Sequence, residues 1–234
     1  EISRSMQKDC KGKQVWFTRL HDTDNGAFLR KDGMLCMAED GVVTPFLAQK
    51  DVKLRGLHNI ENLLAAAAAV WGEVPVEAIR QVGSTFTGVE HRIEPVRTLD
   101  GVLYYNDSIG TSPTRTIAGL RSFDRKVILI AGGYDKHIPY EPLAPEVIRH
   151  VKTLILMGAT GPRIEKVVRE HPDFAASGLV IEHADNMQHA VELARAAAHP
   201  GDEIILSPAS ASFDLYPNFE VRGREFKNIV NALK

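Results

Sequence analysis

Residues 126–136 read Lys126-Val127-Ile128-Leu129-Ile130-Ala131-Gly132-Gly133-Tyr134-Asp135-Lys136. The apolar run Val127–Ala131 is short, rich in β-branched residues and stopped by a glycine pair. No polar residue alternates within it, so it predicts a strand covered on both faces. Cover on two faces comes from helical crossovers, which gives a parallel, doubly wound α/β sheet. The neighbouring sequence keeps the same alternation. Strands are predicted at Ile93–Thr98, Val102–Tyr105, Lys126–Ala131, Thr153–Met157, Leu179–Ile181 and Glu203–Leu206. Helices are predicted over about 113–122, 143–150, 162–170, 186–198 and 219–233, with Pro113 suited to a first turn. Leu99-Asp100-Gly101 joins the first two strands as a tight turn.

Upstream the texture differs. Val15–Thr18, Ala27–Arg30, Met34–Met37 and Val42–Leu47 are short strand-like runs. Lys31-Asp32-Gly33 and Asp40-Gly41 separate the last three, and Asp-Gly between apolar runs favours hairpins. This predicts a small antiparallel meander. Asn59–Trp71 is rich in Ala and Leu and predicts a helix, stopped at Gly72 with Pro75 beyond. A second short helix is predicted over Val76–Val82, followed by a linker-like Gly83–Gly88. The expected domains are therefore 1–88 and 89–234.

The chain has 234 residues, 44% hydrophobic and 25% charged, as globular domains do. A net charge of −2 offers no basic field for nucleic acid or an anionic membrane. The longest apolar run, Leu63–Trp71, falls well short of the ~20 residues that a membrane span needs. Cys10 and Cys36 are the only cysteines, too few for a disulfide framework or a four-cysteine zinc site. The expectation is a reducing, cytoplasmic setting. The chain starts at Glu1 and shows no basic region followed by an apolar stretch, so a secretory signal is not expected.

In open α/β sheets ligands bind beyond the carboxyl ends of the strands. Four predicted strand ends carry small, hydroxyl or charged residues: Asn106–Thr114, Gly132–Lys136, Gly158–Gly161 and Ser207–Ser212. Together they favour an anion-binding crevice over plain turns. The Gly-Gly-Tyr-Asp-Lys loop does not match G-x-G-x-x-G, and Pro139, Pro142 and Pro145 delay the next helix. A dinucleotide cradle on a helix N-terminus is thus not expected. Lys136 reads either as a cation for a ligand carboxylate or phosphate, or as a solvated loop lysine. Ser210 and Ser212 suit a carboxylate, or simply cap the last helix. Arg92, in Glu90-His91-Arg92-Ile93-Glu94, reads as a phosphate-binding fork or as a salt-bridge partner of Glu90 or Glu94. Asn59 and Asn62, three residues apart, share a helix face near its start and serve as caps or as ligand contacts. His183 and His189 are read as surface residues. No H-E-x-x-H, C-x-x-C, G-x-S-x-G or G-x-x-x-x-G-K-[ST] pattern occurs in the 234 residues.

Leu57-His58-Asn59-Ile60-Glu61-Asn62 before an Ala-rich helix resembles the H-N-x-x-N motif of the Mur ligases. Glu90–Glu94 resembles the start of their Rossmann-like C-terminal domain. Asn106-Asp107-Ser108, Gly132-Gly133-x-x-Lys136, Ser207–Asp214 and Phe219-Glu220-x-Arg222-Gly223-x-x-Phe226 are similar to the D-glutamate-adding branch of that family. The likeness covers about 12–234. It implies that 1–88 is the tail of a central ATPase domain, that 89–234 is the Rossmann-like ligase domain, and that the chain is a C-terminal fragment. It also implies an ATP-dependent amide ligase of peptidoglycan precursor synthesis. ATP phosphorylates the carboxylate of UDP-N-acetylmuramoyl-L-alanine, and the amine of D-glutamate attacks the acyl phosphate. By the same resemblance Asn59, Asn62, Arg92 and Asp107 face ATP, while Thr111, Lys136, Ser212 and the Phe219 backbone N–H hold D-glutamate. Mg2+ ligands are expected outside this chain, and the protein is expected to be a monomer. Ile109 and Ser112 depart from the family's usual Lys and Asn, so no phosphate role passes to Ile109. A folylpolyglutamate synthase-like ligase and a non-catalytic α/β ligand-binding module are the competing readings.

Overall fold

Tight reversals at Lys31-Asp32-Gly33 and Asp40-Gly41 organise the first part of the chain in the computed structural model, which describes residues 5–234. Asp40 and Gly41 both take positive φ, 52° and 78°, as a two-residue hairpin turn needs. The chain divides into two compact units, Glu1–Thr87 and Gly88–Lys234.

The first unit holds β1 (Trp16–Thr18), β2 (Gly26–Leu29), β3 (Met34–Glu39) and β4 (Val42–Ala48) in one sheet of that order. β2, β3 and β4 are antiparallel, but β1 lies parallel to β2. The expected antiparallel meander is corrected at that edge. β1 is only three residues long, so residues 19–25 suffice to carry the chain back to the same end before β2. One sheet face packs on α1 (Leu57–Val70) and α2 (Val76–Thr85) through Leu35, Met37, Phe46, Ile60, Leu64 and Ile79. α2 runs on to Thr85, so Gly83 is not linker. A β-carbon there would sit 2.5 Å from Leu47 Cδ2, and the glycine marks a close helix–sheet approach.

The second unit holds β5 (Glu94–Leu99), β6 (Val102–Asn106), β7 (Val127–Ala131), β8 (Val151–Leu156), β9 (Val180–His183) and β10 (Glu203–Leu206). Their order is β5-β6-β10-β7-β8-β9. All pairs are parallel except β5 with β6, which form a hairpin at the sheet edge. The helices are α3 (Pro113–Leu120), α4 (Ala144–His150), α5 (Gly161–Arg169), the four-residue α6 (Phe174–Ser177), α7 (Met187–Ala196) and α8 (Phe219–Ala232). Period-two alternation sends Leu129, Leu154 and Ile205 to one face, under Leu120, Val147 and Ile164 of α3, α4 and α5. Ile128, Ile130 and Ile204 go to the other, under Met187 and Val191 of α7 and Phe226 and Val230 of α8. β7 is buried at every position. β10 returns late in the chain into the gap between β6 and β7, pairing Leu206 with both Asn106 and Ile130. The loops that leave β6, β7 and β10 therefore start side by side. No helix among the described residues is long and apolar enough to cross a membrane.

Because the second unit has its own two-sided core, residues 88–234 expressed alone should fold with one cooperative urea transition. Leu129, fully buried in β7, should lose ~2–5 kcal/mol on replacement by Ala. Urea unfolding of both proteins checks this, and a non-cooperative transition for 88–234 would contradict it.

Candidate active site

At the carboxyl end of β6, Asp107 is buried. Its Oδ2 accepts the Ser207 hydroxyl at 2.6 Å and its Oδ1 accepts the Ile93 amide at 3.2 Å. Ser207 Oγ also lies 2.9 Å from Thr116 Oγ1 of α3. This ties the ends of β6 and β10 and the start of the domain into one knot. Burial pushes the Asp107 carboxyl up to about 6, opposed by the Ser207 and Ile93 bonds and by the nearby Arg92 and Arg115 guanidiniums. Arg92 and Asp107, both predicted to face ATP, are thus neighbours.

The next residue starts a second knot. Ser108 Oγ donates to the Phe219 carbonyl at 2.7 Å and accepts from Arg222 Nε at 3.0 Å. The other Arg222 nitrogens reach the carbonyls of Ser108, Ser210 and Ala211 at 2.9–3.3 Å. Ser210 Oγ lies 2.7 Å from Tyr140 Oη and 2.8 Å from Thr160 Oγ1. Gly133, after β7, has φ +146° and passes the Ala211 carbonyl so closely that a β-carbon would sit 2.2 Å from that oxygen. Gly133 lets the β7 loop cross the β10 loop, while Gly132, at φ +108°, lies as close to the Met157 carbonyl at the end of β8.

The residues predicted to hold D-glutamate all lie in the second unit, Thr111, Lys136 and Ser212 on these loops and Phe219 at the start of α8. Lys136 is exposed, and among the described residues no acid pairs with it. Its loop is held beside it: Arg163 Nη1 of α5 donates to both Asp135 oxygens at 2.8 and 3.1 Å, and Asp135 accepts the His137 amide at 2.7 Å. Ser212 is buried, with its carbonyl accepting the Leu215 and Tyr216 amides. It does not cap α8, whose cap is Asn218, accepting from Val221 N at 2.8 Å; nor does Ser210. Thr111 is half-buried just ahead of α3, and Phe219 is the first residue of α8. The arrangement offers one free cation, hydroxyls and a helix N-terminus, a donor set suited to carboxylates.

Asn59 and Asn62 belong to the first unit. Asn62 Nδ2 donates to Asn59 Oδ1 at 3.1 Å, and Asn59 Nδ2 donates to the Arg55 carbonyl at 2.7 Å. Asn59 is buried and Asn62 exposed; the N-cap of α1 is Gly56, so neither amide caps the helix. The salt-bridge alternative for Arg92 also fails, because Lys227 of α8 takes both Glu90 and Glu94 at 2.8 Å. His183 is exposed and pairs with Glu165 at 2.8 Å, while His189 caps nothing and faces Asp185.

Glu90, His91 and Glu94 are the one group of metal-ligand type that converges among the described residues. They do not fit a metal ion. The Lys227 ammonium sits between the two carboxylates. Asn106 Nδ2 donates to His91 Nδ1 at 2.8 Å and to Glu94 Oε2 at 3.0 Å, while Asn106 Oδ1 accepts the Ser108 amide. That fixes Nδ1 as an acceptor and puts the proton on Nε2, where a metal would need the lone pair. Nε2 is buried without a hydrogen-bond partner.

Asn106, Ser108, Ser207 and Arg222 form the framework, yet the residue reading gave them no role of their own. Arg222 carried a usable signal: at i, i+4 and i+8 it shares the buried face of α8 with Phe226 and Val230. A charged residue on an apolar stripe needs a reason.

The sequence profile of the Mur ligase glutamate ligase domain matches residues 91–210. The UDP-N-acetylmuramoylalanine–D-glutamate ligases of Acetivibrio thermocellus and Clostridium novyi are 50% and 47% identical to the chain over 236 and 233 residues. Each alignment covers 100% of this chain and 50% of the relative, so the chain spans about half the length of the curated relatives it matches. Among solved structures, a pseudomurein peptide ligase type C from Methanothermus fervidus aligns over 89% of this chain and 41% of its own, at TM-score 0.62 and 16% identity. A Mycobacterium tuberculosis folylpolyglutamate synthase complexed with ADP aligns over 87% and 48%, at TM-score 0.60 and 13% identity. At such identities these likenesses concern the fold.

An acid raised from 3.8 to about 6 binds its proton more tightly in the folded state. Its contribution to stability is full below the unfolded value and is lost as pH rises through the folded one. Asp107→Asn abolishes that titration. Relative to the unaltered protein, the variant should gain ~2.4 kcal/mol between pH 4 and pH 7.5 in urea unfolding. A difference that does not change with pH would show that Asp107 titrates normally.

Proposed function

We propose, from the premise that this chain belongs to the Mur ligase family, that the whole protein joins D-glutamate to UDP-N-acetylmuramoyl-L-alanine at the expense of ATP, in peptidoglycan precursor synthesis. The observation that carries the reading is identity of about half, along the entire chain, to ligases of that name. The strand-end chemistry agrees with it. On this reading, residues 89–234 are the glutamate ligase domain and residues 1–88 the end of the ATPase domain. The folylpolyglutamate synthase alternative is supported by likeness of fold alone.

Arg92, beside Asp107, supplies a guanidinium for the nucleotide phosphates, and Asp107 a buried acceptor for a hydroxyl or amine. Asn59 and Asn62, in the first unit, are read as nucleotide contacts on the family resemblance alone. ATP turns the substrate carboxylate into an acyl phosphate, whose carbon the D-glutamate amine attacks as phosphate leaves. This chain's part is to hold the amino acid still. Lys136 pairs with one of its carboxylates, while Thr111, Ser212 and the Phe219 N–H donate hydrogen bonds to complete its two anionic ends. The neutral substrate amine must be free of such partners to attack. Among the described residues, the Glu90-His91-Glu94 group is closed by Lys227 and is given no part in holding the Mg2+ that accompanies ATP. No step is assigned to it on this chain.

The 234 residues contain no P-loop pattern, which positions ATP phosphates and a metal ligand. The chain alone should therefore form no amide from ATP, UDP-N-acetylmuramoyl-L-alanine and D-glutamate, as a product assay reads directly. In the full-length ligase, Lys136→Ala removes a charge-assisted hydrogen bond worth ~1.5–3 kcal/mol. kcat/KM for D-glutamate should fall roughly ten- to hundredfold with ATP kinetics little changed. Unchanged kinetics would leave Lys136 a solvated lysine, and a KM rise confined to ATP would assign it to the nucleotide.

A further inference from the structure

Among the described residues Arg222 is the one lysine or arginine that is buried, at 2% exposure. Its guanidinium donates only to neutral oxygens: Ser108 Oγ at 3.0 Å, the Ser108 carbonyl at 2.9 Å, the Ala211 carbonyl at 3.0 Å and the Ser210 carbonyl at 3.3 Å. No described carboxylate lies within ion-pair distance; Asp214 acts on it from further away. Burial lowers its pKa to about 10, so it stays charged at neutral pH.

A tie between neutral carbonyls does not require a charge. A buried cation with no carboxylate in direct contact is costly, whereas a neutral donor makes such bonds with a smaller desolvation penalty. The position of the charge gives it a use. Its fork holds the β6 loop at Ser108 and the β10 loop at Ser210 and Ala211, one residue before Ser212. Through Ser108 Oγ, it also holds the Phe219 carbonyl in the first turn of α8. The β7 loop that bears Lys136 crosses the same group, with a β-carbon at Gly133 lying 3.2 Å from Arg222 Nη1.

We propose that Arg222 is a positioning residue for the amino-acid substrate, its fork fixing the two hydroxyl-bearing loops and its charge, which no carboxylate pairs directly, raising the affinity of the crevice for carboxylates. This rests on the D-glutamate reading above. It assigns to Arg222 no contact with substrate. The crevice is thereby preorganised before the ligand arrives, so its donors need no reorientation when the carboxylates are bound.

The test is steady-state kinetics of the full-length ligase carrying Arg222→Gln, Arg222→Lys or Ser108→Ala, with thermal unfolding alongside. Arg222→Gln should raise KM for D-glutamate roughly tenfold or more while leaving KM for ATP within about twofold. Arg222→Lys, which keeps the charge and loses the fork, should recover part of that loss. Ser108→Ala should raise KM for D-glutamate by roughly threefold or more, and it decides the matter if the Gln variant does not fold. Equal damage in Lys and Gln variants, confined to kcat and thermal stability, overturns the proposal in favour of a purely structural tie. A rise in KM for ATP overturns it in favour of the nucleotide. If Lys136→Ala impairs D-glutamate use while the Arg222 variants do not, the proposal falls and the D-glutamate reading stands. If neither Lys136→Ala nor the Arg222 variants alter D-glutamate kinetics, both fall.

Discussion

Burial of β7 and β10 on both faces is the constraint from which the rest of the second unit follows. Ile128 and Ile130 point into one apolar layer and Leu129 into the other, with helices closing each side. No polar side chain can be presented from the middle of such strands without an unpaired group in the core. Chemistry is confined to where the strands stop. The late return of β10 between β6 and β7 concentrates three of those endings along one short edge. The edge is itself the end wall of the core, so its polar groups are buried and each must find a partner.

Hydroxyls meet that demand. Ser207 serves Asp107, Ser108 serves Arg222, and Ser210 joins Tyr140 to Thr160. The buried acid and the buried base do not neutralise each other directly. Each is solvated by neutral protein dipoles, as water would do, and each remains electrically available to what lies outside. A direct Asp107–Arg222 pair would bury both charges more cheaply and leave the edge without a field.

Much of this could be read from the amino-acid order. The all-apolar Val127–Ala131 run specified parallel, two-sided burial, and the strand-end residues fell where the rule for open sheets puts ligands. Periodicity failed where contacts distant in sequence decide. β1 is too short for its pattern to reveal direction, and its parallel pairing comes from the path of residues 19–25. Gly83 looked like a breaker because sequence does not show that Leu47 presses on it. The Arg92 alternatives turned on Lys227, more than a hundred residues away and invisible from the local motif. Asn106 and Ser108 read as part of a strand-end motif but not as ties, because their partners, His91 and Arg222, meet them only in the folded chain.

The Asn106 side chain has a consequence beyond holding a loop. Its oxygen must face the Ser108 amide and its nitrogen must face Glu94, so the amide has a single permitted orientation. That orientation dictates which imidazole nitrogen of His91 bears hydrogen. Protonating the ring would place two donors nose to nose at Nδ1 and force the amide to turn, releasing the backbone at Ser108. The ring thus reports, through its nitrogen resonances, whether the end of β6 is in register. A histidine that touches neither ligand nor metal becomes a built-in spectroscopic gauge of the intact strand end.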